Sequence, residues 1–234
     1  MIWIAFEATP LIKPPPLAGV SDFNMNNLRV CILDYGSGNV QSVYNIFKIL
    51  LLEKVVVSNK TADIESASHI VLPGVGAFGA AMEKIKKKIP LDVLSQAVLK
   101  DKKPFLGICV GMQVLADKGY EFGEHQGLGW IAGEVIKMES GELPLPHIGW
   151  NNINIIKESP LLEKFDDNQD FYFVHSYAFK EKDASNVIAT TEYGEKFCSI
   201  ISKDNIFGVQ FHPEKSQKAG RILLENFIQH LPVK

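Results

Sequence analysis

The chain has 234 residues, 46% of them hydrophobic and 22% charged, with a formal net charge of −3. That length and composition suit one globular domain, or at most two small ones, and the mildly acidic balance gives no electrostatic case for nucleic-acid binding. No apolar run approaches the ~18 residues needed to cross a bilayer, and three scattered cysteines, Cys31, Cys109 and Cys198, make neither a disulfide framework nor a zinc site and point to a reducing cytoplasm.

The first 24 residues differ from the rest. They contain Pro14-Pro15-Pro16 and show no clear periodicity. The opening residues are apolar but lack the basic flank and cleavage site of a signal peptide. Residues 1–24 are expected to be a disordered leader or an over-called start, with Met25 a plausible true start and 25–234 a single domain.

From Leu28 onward, short β-rich runs alternate with longer amphipathic ones, the pattern of an α/β sheet. Residues 29–33 read as a strand, Asp34-Tyr35-Gly36-Ser37-Gly38-Asn39 as a turn, and 40–51 as a helix with Val43, Ile46, Phe47 and Leu50 on one face. Strands are expected at 55–57 and 69–72, helices at about 78–87 and 91–99, and a further strand at 105–108. The Lys84 to Lys88 run reads as a solvated helix face. The second half changes character, with strands expected at 127–137, 151–156, 170–179, 186–191, 199–202 and 207–211 before a last helix at 219–229. The fold class is therefore α/β, a mostly parallel central sheet flanked by helices with a β-rich second half.

The segment Phe105-Leu106-Gly107-Ile108-Cys109-Val110-Gly111-Met112-Gln113 carries the most chemistry. A cysteine between two glycines after an apolar run can sit on a sharp strand-to-helix turn with its sulfur presented. A helix N-terminus there would favour the thiolate, the reactive form. Phe211-His212-Pro213-Glu214-Lys215 follows a strand and offers a base and a carboxylate to orient it. Pro73-Gly74-Val75-Gly76 after an earlier strand can aim backbone N–H groups at a tetrahedral oxyanion. Each piece alone has a plain structural reading: a buried cysteine, a surface turn, a glycine-rich entry to a helix. The loop lacks the Gly-Lys-Ser/Thr ending of a P-loop, and Gly36-Ser37-Gly38 lacks a third glycine, so no cofactor is expected.

Taken together these segments resemble the class I (triad) glutamine amidotransferase family over about residues 30–231. Within it they are similar to the glutaminase subunits of imidazole glycerol phosphate synthase. Pro146-His147-Ile148-Gly149-Trp150-Asn151, Tyr172-Phe173-Val174-His175-Ser176-Tyr177 and Gly208-Val209-Gln210-Phe211-His212-Pro213-Glu214 add to that resemblance. It implies Cys109 as nucleophile, His212 as its base and Glu214 as the orienter of His212. It implies an oxyanion hole from Gly74, Val75 and the Val110 N–H, formed after a peptide flip near Val75. Gln113, Glu121, His175 and Ser176 fall at substrate-lining positions, and Trp150 and Lys215 at positions facing a synthase subunit.

The implied reaction is attack of the Cys109 thiolate on the side-chain amide of glutamine, release of ammonia, and hydrolysis of the thioester. The implied partner is a separate (β/α)₈-barrel cyclase, with which ammonia would yield imidazole glycerol phosphate and an aminoimidazole ribotide in histidine biosynthesis. Lys118-Gly119-Tyr120-Glu121-Phe122-Gly123-Glu124-His125 and Gly127-Leu128-Gly129-Trp130-Ile131 also resemble a paralogous branch that supplies ammonia for amidation of bacterial surface sugars. Further alternatives are a non-catalytic interaction subunit, which would show a broken triad, and a cysteine hydrolase on a related scaffold.

Overall fold

The computed structural model describes residues 28–37, 39–51, 54–165 and 169–230; the expected leader 1–24, Met25 and Gly38 lie outside them. The first half winds as β1 (Val30–Ile32), α1 (Val40–Leu51), β2 (Val55–Val57), α2 (Thr61–Ser66), β3 (His69–Gly74), α3 (Phe78–Lys88), α4 (Leu91–Ser95), β4 (Phe105–Cys109) and α5 (Val110–Gln113). The second half runs through β5 (Lys118–Gly119), β6 (His125–Gln126), β7 (Gly133–Lys137), β8 (His147–Asn152), β9 (Asn154–Ile155), β10 (Asp170–His175) and β11 (Tyr177–Glu181). It closes with β12 (Val187–Tyr193), β13 (Glu195–Lys203), β14 (Ile206–Val209) and α6 (Gln217–Gln229).

An eight-stranded sheet in the order β2-β1-β3-β4-β14-β13-β12-β9 forms the centre. Its first five strands are parallel, and β13, β12 and β9 continue it antiparallel. β1, β3, β4 and β14 are buried at every residue, as parallel strands covered on both faces must be. Helix α1 buries Val43 and Phe47 and leaves polar residues outside, while Lys86, Lys87 and Lys88 of α3 are solvated, as their spacing implied.

The parallel register matters for function. Gly74 stands beside Cys109 across β3 and β4, and Val209 beside Ile108 across β14 and β4. Three strands thus end together, and open α/β sheets place ligands beyond such carboxyl ends.

Several elements depart from the sequence expectations, and the strand expected at 151–156 is divided between the end of β8 and β9, which lie in different sheets. The expected strand at 127–137 begins only at Gly133, because the N–H groups of Leu128, Gly129 and Trp130 turn back to carbonyls of Val114, Ala116 and Leu115. The single run at 170–179 is two strands, β10 and β11, which break at Ser176 and join different sheets. Beyond α4 the helix widens into a π-turn over Gln96–Lys100. Helix α2 and most of β8 carry too weak a periodicity to be read locally; their partners in the sheet and against α4 fix them.

Candidate active site

Cys109 ends β4 with φ 55° and ψ −112°, a conformation that costs a non-glycine residue about 1–3 kcal/mol. The surrounding chain enforces it. Gly107 and Gly111 let the first turn after Cys109 fold back onto β3 and β4, so the sulfur is turned out at the strand end. Helix α5 is only four residues long, so its dipole adds little and the sulfur depends on its side-chain neighbours. The Cys109 S–H points at the Val174 carbonyl 3.9 Å away, and the Gln210 side-chain amide lies 3.8 Å from Sγ.

His212 follows β14 and is buried with the Glu214 carboxylate, whose Oε1 lies 2.8 Å from Nδ1. Nδ1–H donates to Glu214, which leaves Nε2 as the nitrogen that serves Cys109. Asn39, just before α1, donates from Nδ2 to the same Glu214 oxygen at 3.3 Å and so helps to fix the carboxylate. Burial alone would lower the His212 pKa, but hydrogen bonds and charge interactions with Cys109 and Glu214 outweigh it and lift it from 6.5 to about 10. The imidazolium is therefore well tolerated here.

A cleft of about 310 Å³ opens over Cys109 and His212, at the small end of ligand-site volumes and ample for one amino acid. Val75, Val110, Gln113, Glu121, His175 and Ser176 line it. The Glu121 carboxylate is anchored by the Phe78 N–H at 3.0 Å, at the start of α3. Gln113 donates both side-chain N–H bonds inward, to Tyr177 O at 2.9 Å and Gln210 Oε1 at 3.1 Å. Its carbonyl oxygen is the end left to meet a ligand. The remaining carboxylate oxygen of Glu121 and the Gln113 amide oxygen suit a ligand ammonium group. Gly74 abuts Cys109 in the sheet, and Gly76 has φ +94°, a left-handed turn that carries Val75 over the cleft.

His175 is among the residues lining the cleft, and both its ring nitrogens are engaged within the protein. Its Nδ1–H donates to Tyr177 O at 3.0 Å, and its Nε2 accepts from His147 Nδ1 at 3.2 Å, so neither ring nitrogen is free for a substrate. His147 is stacked between Tyr193 and Phe173, with centroids 3.9 Å and 4.9 Å away. Burial lowers the pKa of His175 to about 3 and of His147 to about 4, and buried His69 likewise falls to about 4.

These three histidines predict a pH dependence. Each stays neutral when folded, whereas the unfolded chain takes the proton near 6.5. Their stabilisation is complete above that value and is lost as pH falls through it toward about 4. The urea midpoint should fall between about pH 7 and pH 5, before most carboxylates titrate. A midpoint flat across that interval would contradict the neutral histidines.

Trp150 and Lys215 lie away from the cleft, on one exposed patch. Trp150 is 49% exposed and meets Tyr172 edge-on at 5.9 Å, and Lys215 Nζ sits 5.6 Å from the same ring. Ile148, two residues before Trp150 on β8, is 60% exposed on that side. Asn39, His147 and Gln210 were not singled out as site residues from sequence. Gln210 had the one readable signal, a polar side chain inside the apolar run at 207–211.

Residues 31–231 match the family described as Glutamine amidotransferase class-I. The chain belongs to that family. This class-I glutamine amidotransferase is 45% identical over 206 residues to the imidazole glycerol phosphate synthase subunit HisH of Pelagibacter ubique, covering 86% of this chain and 99% of that one. It is 48% identical over 200 residues to the HisH subunit of Aquifex aeolicus, with 86% and 96% covered. The corresponding subunit of Methanocaldococcus jannaschii is 44% identical over 200 residues, with 86% and 98% covered. Among solved structures the amidotransferase shares its fold with PurLQS from Thermotoga maritima, at a TM-score of 0.65 and 19% identity over 87% of this chain and 98% of the other. A glutamine amidotransferase from the same organism gives a TM-score of 0.61 at 17% identity, over 87% and 99% of the two chains. Among the described residues no helix is long and apolar enough to cross a membrane.

Proposed function

We propose that this chain is the glutaminase subunit of an imidazole glycerol phosphate synthase, releasing ammonia from glutamine at Cys109 for a separate synthase subunit. The observation that carries the chemistry is the buried Cys109–His212–Glu214 series opening into an amino-acid-sized cleft. The similarity to HisH subunits along almost their whole length supports the pathway over the surface-sugar alternative.

In the proposed cycle Gln113 Oε1 and the Glu121 carboxylate hold the ammonium end of glutamine, and Ser176 and His175 border the rest. His212 Nε2 takes the Cys109 proton, and the sulfur attacks the side-chain amide carbon. The N–H of Val110 and the loop of Gly74 and Val75 receive the oxyanion. His212 then protonates the leaving nitrogen, ammonia departs, and water activated by His212 hydrolyses the thioester to glutamate. Glu214 holds His212 in the tautomer that keeps Nε2 toward the sulfur.

The partner is read as a (β/α)₈-barrel cyclase docked on the patch of Ile148, Trp150 and Lys215. β8 and β10 pair so that Trp150 faces Tyr172 and Ile148 faces Val174, which borders the cleft, so ammonia leaving there has a short route to a docked subunit. Three unpaired, buried cysteines suit a cytoplasmic location. The test is glutamate release by the chain with the histidine-pathway cyclase, with and without its phosphoribulosyl substrate. Strong stimulation by the loaded cyclase is expected, with Trp150→Ala weakening the complex at least about tenfold as an exposed aromatic anchor should. No stimulation with both proteins folded would move the reading to the surface-sugar branch.

Glu214→Gln should lower kcat in that assay about 10²-fold, the low end for losing support of an acid–base group, because His212 itself remains. It should also flatten the alkaline stability profile. The raised His212 pKa stabilises the fold fully below 6.5, and that contribution is lost as pH rises through about 10. Melting temperature of wild type and variant, followed from about pH 7 to 10, checks this; parallel curves would contradict it.

A further inference from the structure

The Cys109 sulfur sits between two opposed groups. On one side is the Val174 carbonyl at 3.9 Å, which accepts from a thiol and repels a thiolate. On the other is the Gln210 side chain, wholly buried, with an amide nitrogen 3.8 Å away. The amide nitrogen and oxygen of a glutamine are told apart by their partners, and here the partners leave no choice. Tyr177 O can only accept, so the Gln113 end facing it is the NH₂. That same nitrogen is 3.1 Å from Gln210, so the Gln210 atom it meets is the carbonyl oxygen. The end of Gln210 aimed at sulfur is therefore its N–H.

We propose that Gln210 is a further catalytic residue of this site, a fixed N–H donor that holds the Cys109 sulfur as thiolate for attack. The inference rests on the reading of Cys109 as nucleophile. Parallel pairing of β14 with β4 puts Gln210, one residue beyond Val209, abreast of Cys109, one residue beyond Ile108. The short α5 supplies little dipole, so this donor and His212 must offset the Val174 carbonyl. In the step it serves, the thiol proton passes to His212 Nε2 and the freed sulfur electron pair forms the bond to the amide carbon; Gln210 gives up no proton. The other titratable groups around the sulfur are Tyr35, buried beside Gly74, Glu214, which acts through His212, and His175 and Glu121 of the cleft lining. Gln113 links the two functions, since the side chain that offers its oxygen to glutamine also sets the orientation of Gln210.

The experiment follows iodoacetamide alkylation of Cys109 against pH, located by peptide mass spectrometry, in wild type, Gln210→Met and Gln210→Glu. Below the wild-type midpoint, Gln210→Met should react about tenfold more slowly, the scale of a lost charge-assisted hydrogen bond. Gln210→Glu should be slower still. Its carboxylate keeps an acceptor for Gln113 but turns oxygen toward the sulfur, an effect that mere loss of packing would not produce. For both, kcat for glutamine should fall with KM changed less than about threefold, because Gln210 does not border the cleft. A Gln210→Glu profile superimposed on wild type, with its melting curve retained, overturns the proposal. If either variant fails to fold, the wild-type chain labelled with ¹⁵N-glutamine decides. The Gln210 side-chain amide signal should move as Cys109 ionises, and an unmoved signal overturns it. Persistence of glutaminase activity after Cys109 alkylation would instead remove the nucleophile reading, whatever the profiles show.

Discussion

Cys109→Ala is expected to remove glutamine hydrolysis by at least about 10⁴-fold in kcat, while leaving the fold and glutamine binding in place. The size of the effect follows from geometry. The proposed thioester needs a sulfur, and Cys109 is the one cysteine among the residues lining the cleft. The side chain is small and 3% exposed, and removing one sulfur leaves little cavity. Gln113 and Glu121, the proposed ammonium-binding pair, are anchored independently through Tyr177 O and the Phe78 N–H. Glutamate formation should therefore vanish while calorimetry still detects glutamine binding. Activity within tenfold of wild type would show that Cys109 is not the nucleophile.

Gly111→Ala should be severely damaging: among the described glycines an added Cβ makes its shortest contact there. A Cβ at Gly111 would lie 1.8 Å from the Leu72 carbonyl oxygen and 3.0 Å from its carbon. Both are backbone atoms of the central strand β3, so no side chain can swing away. Helix α5 must instead lift off β3, separating Cys109 from the loop that begins at Gly74. Overpacking against a fixed backbone belongs to the severe class of core substitutions, about 4 kcal/mol, which in a chain of this size lowers Tm by about 10–15 °C. Gly76→Ala is the contrast. Its Cβ would meet nothing within 4 Å, and only the φ of +94° opposes it, so it should cost about 1 kcal/mol. Thermal melts of the two variants check the pair. A Gly111→Ala melting temperature within a few degrees of wild type would mean α5 is not seated against β3 as described.

The sequence already carried the family and most of the first half of the fold. Helix 40–51 and strand 55–57 coincide with α1 and β2, because an apolar stripe at helical spacing and a run of three valines are local signals. The glycines bracketing Cys109 and the proline after His212 likewise announce tight turns without any knowledge of the neighbours. The second half was less legible. The run at 170–179 alternates well enough to pass for one strand, yet it changes sheets at Ser176, and that break forms one wall of the cleft.

Local patterning, then, was enough for the α/β class and for the turns that present Cys109 and His212, since each depends on residues within a few positions of one another; the family followed from the resemblance of motifs spread along the chain. The supporting shell depends on partners far apart in the chain. Asn39 reaches Glu214 across 175 positions, Gln210 reaches Cys109 across 101, and His147 reaches His175 only because β8 and β10 pair in that register. A hydrogen bond needs about 3 Å and a particular direction, and no spacing in a sequence encodes that. Folding alone turned Gln210 from one polar residue in an apolar strand into the donor at the sulfur, and closed both nitrogens of His175 to the substrate.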